Sequence, residues 1–103
     1  MNHEKLTDAQ GNTIYFYQPV AEGLQFEVEF ETPGNSDGDV EIIFVIPPRE
    51  YVKIYDKYEI DSSIPIERAI ALISGLGRGS ELAHDLTTDI ERINQFSWVS
   101  FDD

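Results

Sequence analysis

Three carboxylates recur at alternate positions in the segment LQFEVEFE, Leu24 to Glu31: Glu27, Glu29 and Glu31, interleaved with Leu24, Phe26, Val28 and Phe30. In an extended chain, alternate positions share one face at a spacing of roughly 7 Å. Neighbouring carboxylates at that spacing repel by about 0.6 kcal/mol in water, and by about 2 kcal/mol at an effective dielectric near 20. The chain supplies no local relief: no lysine or arginine occurs between Lys5 and Arg49, and residues 19–48 hold seven acids and no base. Unneutralised carboxylates in this pattern can coordinate a cation, keep a solvated face soluble, or capture a basic protein surface.

Cation coordination has a specific form to meet. The run NSDGDVE places oxygen ligands at alternate positions, Asn35, Asp37, Asp39 and Glu41. A helix–loop–helix calcium site needs D-x-[DN]-x-[DN]-G and a glutamate at the twelfth position. Val40 stands where that glycine belongs and no twelfth-position glutamate lines up, so the run reads as a charged hairpin tip and no metal is expected. The glycine-rich run GLGRGS, residues 75–80, lacks the spacing of a dinucleotide turn and follows a helical pattern rather than a strand. It reads as a helix terminus and interhelix turn. His84 and Asp85 stand together, and Ser74 and Ser80 are the nearest hydroxyls. Neither serine sits in a G-x-S-x-G turn, and a nucleophile needs a base oriented by a third group. No catalytic residue is assigned, and no cofactor is expected.

The elements that must carry these residues follow from periodicity. TIYFYQ, 13–18, is rich in β-branched and aromatic residues and predicts a strand. The alternation of 24–31 predicts a half-buried second strand. Between them, Pro19 and Gly23 bracket a short connection. TPGNSDGD, 32–39, concentrates turn formers and predicts a hairpin loop. VEIIFVI, 40–46, is continuously apolar, as a central strand should be, and Pro47-Pro48 stops it. EYVKIYDKYEI, 50–60, carries tyrosines at helical spacing, but its β-branched and aromatic content favours a strand. Ile66, Ala69, Ile70 and Ile73 recur at i, i+3, i+4 and i+7 and predict a helix, with Pro65 in its first turn, Ser62 or Ser63 as cap and Gly77 as left-handed terminus. Leu82, Leu86, Ile90 and Ile93 predict a second helix from Ser80, with a capping-box restart at Thr88 and Glu91. FSWVSF, 96–101, predicts a closing strand, and residues 1–12 predict only a polar lead-in ending in the turn Gly11-Asn12. The expected fold class is α+β: one domain over 1–103, with a mainly antiparallel sheet of about four to five strands and two helices packed on one face.

Composition narrows the function classes. Twenty acids against seven bases give a net charge of -13, which disfavours nucleic acid and anionic membrane surfaces as partners. The absence of cysteine excludes disulfides and thiolate chemistry. The first twelve residues hold no apolar targeting core and no run reaches membrane-spanning length, so a cytoplasmic protein is expected. Tyr15, Tyr17, Tyr51, Tyr55, Tyr58 and Trp98 are numerous amphipathic aromatics for this length. They serve a core or its edge, and such side chains also anchor interfaces.

The profile resembles the small cytoplasmic immunity proteins of bacterial contact-dependent inhibition and polymorphic toxin systems: about a hundred residues, acidic, cysteine-free, a sheet with two helices and no active site. An aromatic segment (YVKIYDKYEI), a proline turn into a helix (IPIERAIALISGLG) and a tryptophan strand (FSWVSF) are similar to the C-terminal half of one family of these proteins. That family runs from the glycine-ended helix almost directly to the tryptophan strand, whereas residues 80–95 here insert a second helix. The resemblance implies a protein that is not an enzyme and that neutralises a basic toxin domain, often a nuclease, by occluding its active site or substrate groove. The residues expected to meet that partner are Glu27, Glu29, Glu31, Asp37, Asp39, Glu41 and Tyr17. Two other readings stay open: a phage-type acidic nucleic-acid mimic, and a small ligand-binding or enzymatic α+β domain with polar groups converging in an apolar pocket. The oligomeric state is not fixed by the sequence.

Overall fold

A computed structural model describes residues 4–31 and 39–100, with side chains over 4–28 and 42–96. The strands are β1 (Glu4–Thr7), β2 (Thr13–Val20), β3 (Gly23–Glu31), β4 (Asp39–Ile46) and β5 (Ile93–Ser100). They form one sheet in the order β1-β2-β3-β4-β5 with every neighbouring pair antiparallel. A 3-10 turn (Pro48–Glu50) and three helices, α1 (Tyr51–Lys57), α2 (Ile66–Gly75) and α3 (Gly79–Thr88), connect β4 to β5. The α+β class and the antiparallel sheet with packed helices are as the sequence predicts.

Strand alternation sorts the sheet into two faces. Leu6, Tyr15, Tyr17, Leu24, Phe26, Phe44 and Ile46 are buried against Ile54, Ala69, Ile70, Ile73, Leu82 and Leu86 from the helices. Within this core Phe26 stacks on Phe44 at 5.6 Å between centroids, and Tyr15 meets Phe44 edge-on at 5.7 Å. Such ring pairs add about 0.5–1.5 kcal/mol each beyond the area they bury.

Several local expectations are corrected. Residues 51–57 are helical, not extended. Ile54 and Tyr58 are buried in the core and Tyr51 and Tyr55 pack against it, and their i, i+3, i+4, i+7 spacing outweighs β propensity. Two anchors hold α1: the Tyr55 hydroxyl donates to the Ile64 carbonyl, and the buried Glu50 carboxylate accepts from Lys53 Nζ (2.7 Å) and the Glu91 N–H (2.7 Å). Residues 4–7 form an edge strand, with Leu6 fully buried opposite Tyr15. Pro19 lies inside β2, so the β2–β3 hairpin turns at Ala21 and Glu22.

The helix ends differ too. α2 begins after Pro65 with no side-chain cap, while Asp61 Oδ1 accepts the Ser63 N–H. α3 ends at Thr88, whose hydroxyl donates to the His84 carbonyl, so no capping box restarts it and Ile93 belongs to β5. The α2 terminus is as expected: Gly77 is left-handed (φ 76°), with Arg78 N–H on the Ile73 carbonyl and Gly77 N–H on the Ser74 carbonyl. The predicted hairpin loop, with Asn35 and Asp37, lies outside the described residues, apart from Asp39, which opens β4.

Candidate protein-binding face

The acidic positions of β3 fall on the sheet face opposite the helices. Glu27 is half-buried there and pairs with Phe16 of β2 and Ile43 of β4, and Ile43 pairs in turn with Phe96 of β5. One row across four strands therefore reads Phe16, Glu27, Ile43, Phe96. Phe16 is 37% exposed and Phe96 59%, large apolar groups that a solvated face does not require. The next rows along β3 gather the acids by register: Glu29 pairs with Glu41, which pairs with Trp98, and Glu31 pairs with Asp39, which pairs with Ser100. Like charges at directly opposed strand positions oppose folding. Among the described residues no ion pair reaches Glu27, and the nearest base in register, Lys5, pairs with Phe16 at the far side of the row.

Of the residues expected to meet a partner, Glu27, Glu29, Glu31, Asp39 and Glu41 occupy neighbouring strand positions on this sheet, and Asp37 lies outside the described residues. Tyr17 is corrected: it is 1% exposed on the helix face, packs on Phe26, and its hydroxyl donates to the Glu67 carbonyl (3.4 Å). Burial pushes its phenol up to about 12. Phe16 and Phe96 were not singled out from the sequence, although Phe16 alternates out of phase with Tyr15 and Tyr17, which places it on the outer face.

The ionisable groups on the helix side form a tie rather than a reaction centre. Buried Asp85 accepts from the Tyr58 hydroxyl (2.7 Å) and from Lys57 Nζ (2.6 Å), and the Arg78 guanidinium lies 4.5 Å from the Tyr58 ring centre. Burial and the Asp85 hydrogen bond push the Tyr58 phenol far above its ordinary value, and the Asp85 hydrogen bond raises Lys57. Both groups hold their protons at neutral pH, so neither serves there as base or nucleophile. Ser74 is engaged as well: its Oγ accepts the Thr7 N–H (2.9 Å) and bonds the Thr7 hydroxyl (2.7 Å). His84 is exposed on α3. Among the described residues no group of three or more histidine, aspartate or glutamate side chains is placed to hold a metal ion. A groove of about 490 Å³ runs between β1 and α2, lined by Glu4, Pro65, Glu67, Arg68, Ala71 and Leu72, with no histidine, serine or threonine in it. Among the described residues no helix is long and apolar enough to cross a membrane.

No family model, curated protein or solved structure matches the chain.

Proposed function

We propose that the protein binds and neutralises a basic partner protein through the outer face of its sheet, in the manner of an immunity protein occluding a toxin domain, with a nuclease the partner that best suits the charge. The observation that supports this reading is the register, which adds Glu41 and Asp39 of β4 to Glu29 and Glu31 of β3 beside an apolar row holding Glu27. An acidic field steers association and disfavours wrong partners, while an apolar centre supplies the buried contact. The four longer strands, of eight or nine residues, present roughly 500 Å², over half of the ~800 Å² per partner of a standard stable interface. The protein acts without catalysis, in the cytoplasm, where its partner would otherwise act.

A broad nucleic-acid mimic is less well supported. The helix side mixes its signs, with Arg49 on Glu91, Lys53 on Glu50, Lys57 on Asp85 and Arg78 on Glu81. Residues 49–92 carry six bases to nine acids, whereas residues 19–48 carry seven acids and no base, a segregation that fits a narrow match to one partner.

The test is affinity capture from cells co-expressing the flanking open reading frames, washed at low and then high salt. One basic protein retained at high salt, toxic when expressed alone and harmless together with this chain, supports the proposal. Many basic proteins released by salt would show that the charge binds nonspecifically, and the proposal would fall.

A further inference from the structure

A second feature lies on the helix side, where α2 packs on β1 and α3 on β1 and β2. A cavity of about 200 Å³ is lined by Tyr15, Ile42 and Phe44 from the sheet, Thr87 from the last turn of α3, Arg92 from the α3–β5 connection and Gln95 from β5. Its floor is aromatic and buried: Phe44 is 1% exposed and Tyr15 8%. Its rim is polar, and a bulge in β5 shapes it. The β4–β5 register shifts between Ile43 and Val45, with Asn94 in the left-handed region (φ 50°). Bulges of this kind re-aim the side chains beside them, and here the neighbour is Gln95.

Arg92 is the anomaly. Its Nη1 donates to the Leu86 carbonyl (3.0 Å) and its guanidinium lies 5.9 Å from the Phe44 ring centre. Its Nε–H is buried with no acceptor among the described residues. No carboxylate among them pairs with Arg92, in a chain with twenty acids and seven bases. Lys5 and Arg68 are also without a carboxylate partner there, but both are exposed and water serves them. A part-buried guanidinium with an idle donor beside an aromatic floor is a receptor for a planar anion, because the guanidinium fork matches a carboxylate in geometry and charge.

We propose that this cavity binds a small carboxylate, with the anion on the Nε side of Arg92 and the apolar remainder over Phe44, Tyr15 and Ile42. The volume admits one compact group and lies below that of ordinary drug-sized sites. One cation in a chain of net charge -13 balances a monoanion; a phosphate dianion would need more positive charge than the lining holds. The Tyr15 hydroxyl has no hydrogen-bond partner among the described residues and is free to donate to the second carboxylate oxygen. The site does not depend on the outer-face proposal.

The test is a nuclear magnetic resonance titration of isotope-labelled protein with sodium benzoate, with benzamide as the neutral isostere and inorganic phosphate as the rival anion. The expected result is saturable amide shifts at Ile42, Phe44, Thr87, Arg92 and Gln95 with benzoate, weaker by tenfold or more with benzamide and with phosphate. Arg92→Gln abolishes the response while the rest of its spectrum stays folded. Should Arg92→Gln fail to fold, Ile42→Phe fills the cavity without touching the cation and must block benzoate equally. Unsaturable shifts, equal response to benzamide, preference for phosphate, or unchanged binding in the cavity-filled variant would each overturn the proposal.

Discussion

Asp85 shows how a charged residue contributes without catalysing. The carboxylate is buried and shared by Tyr58 and Lys57, which fastens α1 to α3. Asp85→Ala leaves the buried Tyr58 hydroxyl without its acceptor, and the expected loss is about 2 kcal/mol in urea unfolding. Lys57→Met costs much less, because the Lys57 side chain is 43% exposed and screened. The phenols give a pH signature. All five tyrosines are raised, burial being the largest cause for each, with Tyr17 at about 12. A raised folded-state pKa stabilises fully below the unfolded value near 10, and that stability is lost as pH rises through the folded values. Phenolate absorbance in the native protein should therefore lag the ordinary tyrosine titration, and Tm should fall above pH ~10. Five tyrosines titrating at the ordinary value would contradict this packing.

Among the elements, those with uninterrupted periodicity were legible. β2, β3 and β4 follow from alternation or continuous apolarity, and α2 from its isoleucine spacing with Gly77 at its end. The outer-face placement of Glu27 also followed, since one face of β3 had to be apolar. Three features were not legible. β1 is four residues with one buried apolar side chain, too short to show a period. α1 is built from residues of high β propensity, and its helical spacing competes with an alternating pair, Val52 and Ile54. The pairing of Glu29 with Glu41 depends on long-range register, which local pattern does not fix. Packing at β1 depends on Gly79: a Cβ there would stand 1.6 Å from the Thr7 carbonyl oxygen. Gly79→Ala should cost about 1–3 kcal/mol and accelerate amide hydrogen exchange in β1 ahead of β3 and β4. Uniform exchange would show that β1 is not held by this contact.

At the scale of the molecule, charge is divided between two sides. Ion pairs mix on the helix layer, while β3 and β4 place acid beside acid at opposed positions. Screening relieves that repulsion more than it weakens exposed pairs worth little singly, so moderate sodium chloride should raise Tm by a few degrees; a fall would place the dominant electrostatics in the ion pairs. The outer face is where function and folding diverge, because the residues that oppose folding are those proposed to bind. The most direct measurement compares two charge-reversed variants for binding to the captured basic partner. One carries Glu27→Lys, Glu29→Lys and Glu31→Lys, and the other carries Asp56→Lys and Asp89→Lys on the helix side, where both residues are exposed. The account predicts that the first variant folds with stability equal to or above that of the unaltered chain and loses at least about a thousandfold in affinity, while the second binds nearly as before. Equal binding by both variants, or a loss confined to the second, would contradict it.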